Sequence, residues 1–265
     1  MKTLATYSIK GGVGKTSAAV NLGALAAADG LRTVLWDLDP QGAASFLFRI
    51  KPKVKGGGKA LVAGRRTLDE AIKETDFDRL DLMPADFSYR NLDLDLDSTK
   101  RPTDRLRRLV APLDNEYELV ILDCPPSVSL VSENVVRASH VLLVPLIPAV
   151  LSLRTFDQLT DFVDSLPGRT PTVLAFLSMV DRRKKAHREL VEQLPHQRKS
   201  VVPEAIPNLS VIEQMAQHRA PVPAFAPHSP ATAAYEDLWT RLRSGLAGSR
   251  TTAATLPSPG PGSRR

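Results

Sequence analysis

Short runs of β-branched and leucine residues alternate along this chain with longer stretches whose apolar positions recur at three- and four-residue spacing. The first pattern suits strands buried on both faces, and the second suits helices that bury one stripe. Together they predict βαβ units, hence an α/β fold with a mostly parallel, twisted sheet and helices on both faces. Strands are expected over residues 3–9, 32–37, 80–83, 119–123, 141–145, 173–179 and 201–206, and helices over 15–28, 67–73, 103–113, 130–138, 153–165, 188–194 and 230–246. No internal repeat or second core is visible, so residues 1–248 are expected to form one domain. Residues 51–66 (KPKVKGGGKALVAGRR) combine basic side chains and glycines with no acid, which predicts an exposed loop that orders on contact with a partner. Residues 249–265 are rich in Ser, Thr, Pro and Gly, the composition of a disordered tail.

Composition narrows the classes. With 43% apolar and 24% charged residues, the 265-residue chain can bury an ordinary globular core. The single cysteine, Cys124, excludes an intrachain disulfide and a cysteine-only zinc or iron–sulfur site, and a reducing cytosol is expected. Its histidines show no HxH or HxxxH spacing, so a histidine-rich metal site is not expected. A net charge of +6 tilts the chain toward polyanionic partners. The N-terminal residues pass straight into a strand and a glycine loop, so no secretory leader and no N-terminal DNA-reading helix pair are expected. The longest apolar run, residues 141–150, contains Pro145 and Pro148 and is too short to span a bilayer.

The most informative run is Lys10-Gly11-Gly12-Val13-Gly14-Lys15-Thr16, placed where a buried strand gives way to a helix. Glycines let backbone N–H groups curl around phosphate oxygens, and the helix N-terminus adds its positive end. Lys15 is placed to reach the β- and γ-phosphates and Thr16 to offer a hydroxyl to Mg²⁺. The ordinary phosphate-loop pattern would need glycine at position 9, where the chain has Ile9; a second lysine, Lys10, opens the loop instead. Two acidic strand ends follow, Asp37-Leu38-Asp39-Pro40-Gln41-Gly42 and Leu119-Val120-Ile121-Leu122-Asp123-Cys124-Pro125-Pro126. Cys124 reads as a small strand-end filler, since no base is evident beside it.

KGGVGKT, DLDPQG and DCPP together resemble the deviant Walker A, switch I and Walker B/switch II motifs of the ParA/MinD family of ATPases, with the likeness closest to small ParA-type partition and positioning ATPases. That resemblance implies a P-loop NTPase fold, ATP and Mg²⁺ as cofactors, and slow, partner-stimulated ATP hydrolysis. It implies that Lys10 reaches into a partner subunit's nucleotide site, so that ATP holds two copies face to face. Lys10, Lys15 and Asp39 then carry catalysis, Asp39 by positioning the attacking water. Gly11, Gly12, Val13, Gly14, Lys15, Thr16 and Ser17 hold the phosphates, and Met179, Asp181 and Pro207 flank the base. Thr16 binds Mg²⁺, and Asp37 and Asp123 do so through water.

The resemblance departs at Asn208 and Val211, where many relatives carry arginines of the DNA-binding surface. A dense cluster, Arg182, Arg183, Lys184, Lys185 and Arg188, with Lys199 and Arg219 downstream, is the candidate replacement for nonspecific DNA contact. The expected partners are a second copy with ATP, the DNA of the nucleoid, and a ParB-like or cargo adaptor protein that stimulates hydrolysis, in a cytoplasmic, nucleoid-associated protein. The alternative is a MinD-like or accessory regulatory ATPase acting on a protein partner or a membrane. The proline- and glycine-rich C-terminus lacks the amphipathic stripe of a membrane anchor, and Ala234, Leu238 and Leu242 are expected to dock on the core.

Overall fold

In the computed structural model, which describes residues 1–248, β1 (Lys2–Thr6) opens into the glycine loop and α1 (Lys15–Ala28). β2 (Thr33–Asp37) leads to two short helices, α2 (Ala43–Leu47) and α3 (Gly57–Val62), and then to β3 (Lys73–Glu74) and β4 (Leu80–Met83). A 3-10 turn (Phe87–Asn91), α4 (Leu92–Asp97) and α5 (Arg105–Val110) precede β5 (Leu119–Asp123). Next come α6 (Leu130–Ala138), β6 (Val141–Leu146), α7 (Val150–Ser165), β7 (Thr172–Val180), α8 (Lys185–Gln197) and β8 (Val201–Pro207). Three single-turn helices, α9 (Ser210–Glu213), α10 (Met215–His218) and α11 (Val222–Phe225), lead to the long α12 (Pro230–Gly248).

The strands form one sheet in the order β3-β4-β2-β5-β1-β6-β7-β8, parallel throughout except for the β3–β4 edge pair. Alternation along each strand feeds two layers. Leu4, Leu35, Ile121, Leu143 and Phe176 pack with Ala18, Ala19 and Leu22 of α1 and Tyr235, Leu238 and Leu242 of α12. Their sequence neighbours Ala5, Val34, Val120, Leu122, Leu142 and Ala175 face the opposite way, toward Val135 of α6 and Phe156 and Leu159 of α7. Each of the larger of these side chains contributes about 1.5–3 kcal/mol on burial, and the double-sided demand is why these strands read as continuous apolar runs. Leu238 and Leu242 dock on the core as expected. Polar contacts add to that docking: Trp239 Nε1 and Arg243 Nη1 donate to Asp29 at the end of α1 at 2.6 and 2.8 Å.

Three expectations are corrected. Residues 67–73 do not form a helix: Ala71 and Ile72 close one turn on the Leu68 carbonyl, and Lys73–Glu74 pairs antiparallel with β4. Leu68 is the one fully buried side chain of that stretch, too little apolar stripe to hold a helix against an open sheet edge. Residues 51–66 are not a bare loop, because the apolar triplet Ala60, Leu61 and Val62 is buried and α3 forms around it. The lysines and glycines mask that triplet in the sequence. Helix 103–113 is shorter than expected, as Pro112 converts its last turn to a 3-10 turn (Ala111–Asn115). The expected disordered tail, 249–265, lies outside the described residues. Among the described residues no helix is long and apolar enough to cross a membrane.

Candidate nucleotide site and basic surface

Strand register assembles the site. Thr6 of β1 lies level with Asp123 of β5, and Asp123 lies level with Asp37 of β2, so both carboxylates end up side by side beneath the glycine loop. Gly14 closes the loop with φ 96°, and a Cβ there would come within 2.8 Å of Ser178 Oγ at the end of β7. Only glycine satisfies both the left-handed backbone and the close approach. α1 then starts at Lys15 with neither a side-chain cap nor an acid in its first turn, which leaves its first N–H groups free for an anion. Gly11, Gly12, Val13, Thr16 and Ser17 lie along this same loop and helix entry.

Lys15 is buried, and its Nζ donates to the Lys10 carbonyl at 3.0 Å. Burial lowers its pKa, while the carboxylate of Asp123 opposes that shift. The ammonium is thus parked inside the loop where phosphate oxygens would take over its hydrogen bonds. Lys10 is arranged differently. It is half-buried at the rim, and its side chain has no ion-pair partner among the described residues.

Asp37 and Asp123 are fully buried, and each has one carboxylate oxygen, Oδ1 and Oδ2 respectively, without a hydrogen-bond partner. Burial pushes both pKa values up, and for Asp123 the neighbouring Asp37 adds to the effect. Two orphaned carboxylate oxygens beside a threonine hydroxyl at the mouth of a phosphate loop fit a hydrated divalent cation, since a nearby Mg²⁺ restores their charged form. Asp37 Oδ2 is held in place by the backbone N–H and the hydroxyl of Ser45 at 2.8 Å each. Asp39 is half-buried and accepts from Gln41 N at 2.9 Å, with its carbonyl taking Gly42 N at 2.9 Å. Cys124 is buried with its thiol pushed well up by burial, which suits a filler and not a nucleophile.

A sequence profile described as an AAA domain matches residues 1–176. The chain belongs to the ParA/MinD family of deviant Walker A ATPases. Among relatives, it is 30% identical over 243 residues to the sporulation initiation inhibitor protein Soj of Bacillus subtilis, covering 89% of this chain and 96% of that one. It is 33% identical over 190 residues to the chromosome partitioning protein ParA of Myxococcus xanthus, covering 70% of this chain and 67% of that one. Cobyrinic acid a,c-diamide synthase of Mycobacterium smegmatis, solved with ADP and magnesium, superposes with a TM-score of 0.79 at 25% identity over 97% of this chain and 100% of that one. The cell division ATPase MinD of Pyrococcus furiosus shares the fold, with a TM-score of 0.75 at 19% identity over 92% of this chain and 98% of that one. This is a ParA-type ATPase with the P-loop NTPase fold.

Asp181 and Pro207, two of the residues expected to flank the base, line a groove of about 1240 Å³ that runs along the edge strand β8 between α8 and α12. Met179, with φ 56° and partial exposure, stands at the end of β7 and is not part of the groove lining. The Asp181 carboxylate is already engaged: Arg183 Nε and Nη2 each bond it at 2.9 Å and hold its pKa far below the usual range.

The basic cluster is brought together only in part. Arg182, Arg183, Lys184, Lys185 and Arg188 share the β7–α8 junction and are exposed. Arg183 is bound to Asp181, Arg188 Nη1 donates to the Arg182 and Arg183 carbonyls at 2.7 and 3.1 Å, and Lys185 lies 3.6 Å from Glu189. Arg182, Lys184 and Arg188 have no ion-pair partner among the described residues. Lys199 sits past the opposite end of α8. Arg219 lies elsewhere altogether: its Nε donates to the Phe46 carbonyl at 3.0 Å and its guanidinium covers the Phe46 ring at 4.6 Å, tying α10 to α2.

Three contributors escaped the sequence reading. Ser45 anchors Asp37, Ser178 sets the clearance over Gly14, and the buried Tyr7 hydroxyl donates to the Ser127 carbonyl just past Asp123-Cys124-Pro125-Pro126. Burial pushes the Tyr7 pKa up to about 12, so it remains a donor. None of the three belongs to a spacing pattern; they are found only once strand ends are juxtaposed.

Proposed function

We propose that this ParA-type ATPase forms an ATP-dependent sandwich dimer, binds DNA nonspecifically in that state, and positions a DNA or protein cargo through partner-stimulated hydrolysis. The observation that carries the reading is the division of labour between two lysines on one loop. Lys15 points inward toward the phosphate position, and Lys10 waits at the rim without a counter-ion. One cation suffices to hold a bound triphosphate from within; a second at the rim suits a phosphate presented by another copy. Mg²⁺, when bound, neutralises phosphate charge, and Thr16, Asp37 and Asp123 are the residues to hold it, the aspartates through water. Asp39 orients the attacking water, and Gly11 to Ser17 fix the phosphates. Met179, Asp181 and Pro207 flank the base. Residues 1–248 act as one ATPase domain in a cytoplasmic, nucleoid-associated protein. The names of Soj and ParA relatives, one a chromosome partitioning protein, support the cargo reading.

Dimerisation then acts as the DNA switch, because two copies of Arg182, Lys184 and their neighbours on one face double the phosphate contacts. A gel shift with random duplex DNA tests this: retention with ATP and Mg²⁺ but not with ADP is expected, and no retention at low salt in either state contradicts it. A second reading, action on a protein partner in place of DNA, is favoured by one fact. Arg183 is paired with Asp181 and Lys185 lies 3.6 Å from Glu189, which leaves fewer cations for phosphates.

A further inference from the structure

β7 carries an acid away from the phosphate loop and then covers it. A Cβ on Gly14 would lie 2.8 Å from Ser178 Oγ, so β7 passes directly against the loop, and Asp181 follows three residues later, at most about 10 Å along the chain. Val180 lies level with Pro207 of β8, and Asn208 N donates to the Val180 carbonyl at 2.9 Å. The two strand ends therefore close together on the side of the loop where the base is proposed to sit.

Asp181 is fixed independently of the side chain that covers it. Its N–H donates to His187 Nδ1 at 3.0 Å, its carbonyl accepts from Lys184 N at 3.0 Å, and its Oδ1 accepts from Arg183 N at 3.0 Å. The Arg183 side chain then adds a fork, with Nε on Oδ1 and Nη2 on Oδ2 at 2.9 Å each. The Asp181 side chain is 13% exposed and that of Arg183 is 91% exposed, so the acid is sheltered while its cover stands in water. An ion pair with one partner so exposed contributes little to folding, and its removal leaves the fold intact.

A free carboxylate beside a purine reads guanine. The pairing edge of guanine offers two parallel donors, the N1 hydrogen and the N2 amino group, which match the two oxygens of a carboxylate. The edge of adenine sets an unprotonated N1 acceptor beside its amino group, and a carboxylate repels that acceptor. Guanine would need the same two oxygens that the Arg183 fork already holds. We propose that Arg183 sets the base selectivity of this ATPase by occupying Asp181, so that the acid cannot accept guanine and adenine is preferred. The inference rests on the base placement proposed above and deepens it, because selectivity is assigned to a side chain that acts through Asp181 without touching the base.

The test measures the affinity of the full chain for ADP, GDP and inosine diphosphate, each with Mg²⁺, by titration calorimetry. Wild type is expected to prefer ADP. Arg183→Ala should raise the affinity for GDP about tenfold or more, the scale of one regained charge-assisted pair, while the affinity for ADP does not rise and the melting temperature stays at the wild-type value. Inosine diphosphate, which keeps the N1 hydrogen and lacks the N2 amino group, should gain less than GDP. Combining Arg183→Ala with Asp181→Asn should abolish the gain, since the amide cannot accept from both donors. An unchanged ratio of GDP to ADP affinity in Arg183→Ala overturns the proposal. So does an equal loss of both affinities, which would place the guanidinium on the nucleotide itself. Photolabelling of wild type with 8-azido-ADP separates the two levels of the argument. Label on residues 179–181 or 207 with an unchanged ratio sinks the selectivity role alone, whereas label found only elsewhere sinks the base placement and this proposal with it.

Discussion

The phosphate loop and the β7–α8 cluster are both rich in cations, yet they are built on opposite principles. At the loop, Lys15 is buried and its neighbours Asp37 and Asp123 are placed by strand register, so the geometry is set by the same core that sets the fold. At the cluster, Arg183 and Lys185 pair with neighbouring acids and Arg188 bonds backbone carbonyls, so Arg182, Lys184 and Arg188 lack an ion-pair partner among the described residues. Charge density in a sequence therefore overstates a surface site and understates a buried one, because exposed cations find partners within a few residues and buried ones are held for a purpose.

Removing the loop's inner charge should have the largest effect. Lys15→Ala is expected to weaken ATP binding by about a hundredfold or more by titration calorimetry, the loss of several charge-assisted hydrogen bonds. Unchanged affinity would place the phosphates elsewhere. Asp39→Ala should keep ATP while single-turnover hydrolysis falls by about a hundredfold, the scale of a lost positioning group. Wild-type turnover in that variant would move the water to another residue.

At the cluster, effects should be smaller and unequal. Arg182→Ala with Lys184→Ala is expected to weaken ATP-dependent binding to random duplex DNA more than Arg183→Ala with Lys185→Ala, whose charges are already paired. The slope of log affinity against log salt should also flatten by roughly 0.9 for each phosphate that is no longer neutralised. Equal weakening by the two pairs would show that the internal hydrogen bonds open when DNA binds, and would erase the contrast between loop and cluster.

Stability offers the smallest test. His140 sits between β1 and β7, where its Nδ1 accepts from Thr3 N at 3.0 Å and its carbonyl takes Thr172 N at 3.0 Å. Burial, then the charges of Arg169 and Lys2, lower its pKa to about 4. Its folded pKa lies below the unfolded value, so the folded state favours neutral imidazole; the stability this gives is complete above about pH 6.5 and is lost as pH falls toward 4. After allowance for partial exposure, the change is about 1–2 kcal/mol, and His140→Gln should flatten the decline of the melting temperature over that window. An identical pH profile in the variant would assign the acid sensitivity to other groups.

The strands and the nucleotide loop were legible because each expresses a constraint local in sequence: apolar runs for β2, β5 and β6, and glycines plus two lysines for the loop. What escaped depends on contacts far apart in the chain. Ser45 matters because it folds back on Asp37, and Ser178 because β7 ends over Gly14. α3 was hidden because three apolar residues sit among glycines and lysines, and Arg219 was grouped with the cluster because its charge gave no sign of the Phe46 ring it covers. Residues 182–188 were legible as a cluster but not as a self-paired one.

If Lys10 acts on another copy while Lys15 acts on its own, the two lysines must separate dimerisation from nucleotide binding. Light scattering with Mg²⁺ and a slowly hydrolysed ATP analogue tests this most directly when paired with a nucleotide titration of the same sample. Wild type is expected to become a dimer, and Lys10→Ala to stay monomeric while binding the analogue with near wild-type affinity. A Lys10→Ala protein that dimerises normally, or one that loses nucleotide affinity as severely as Lys15→Ala, would contradict that division.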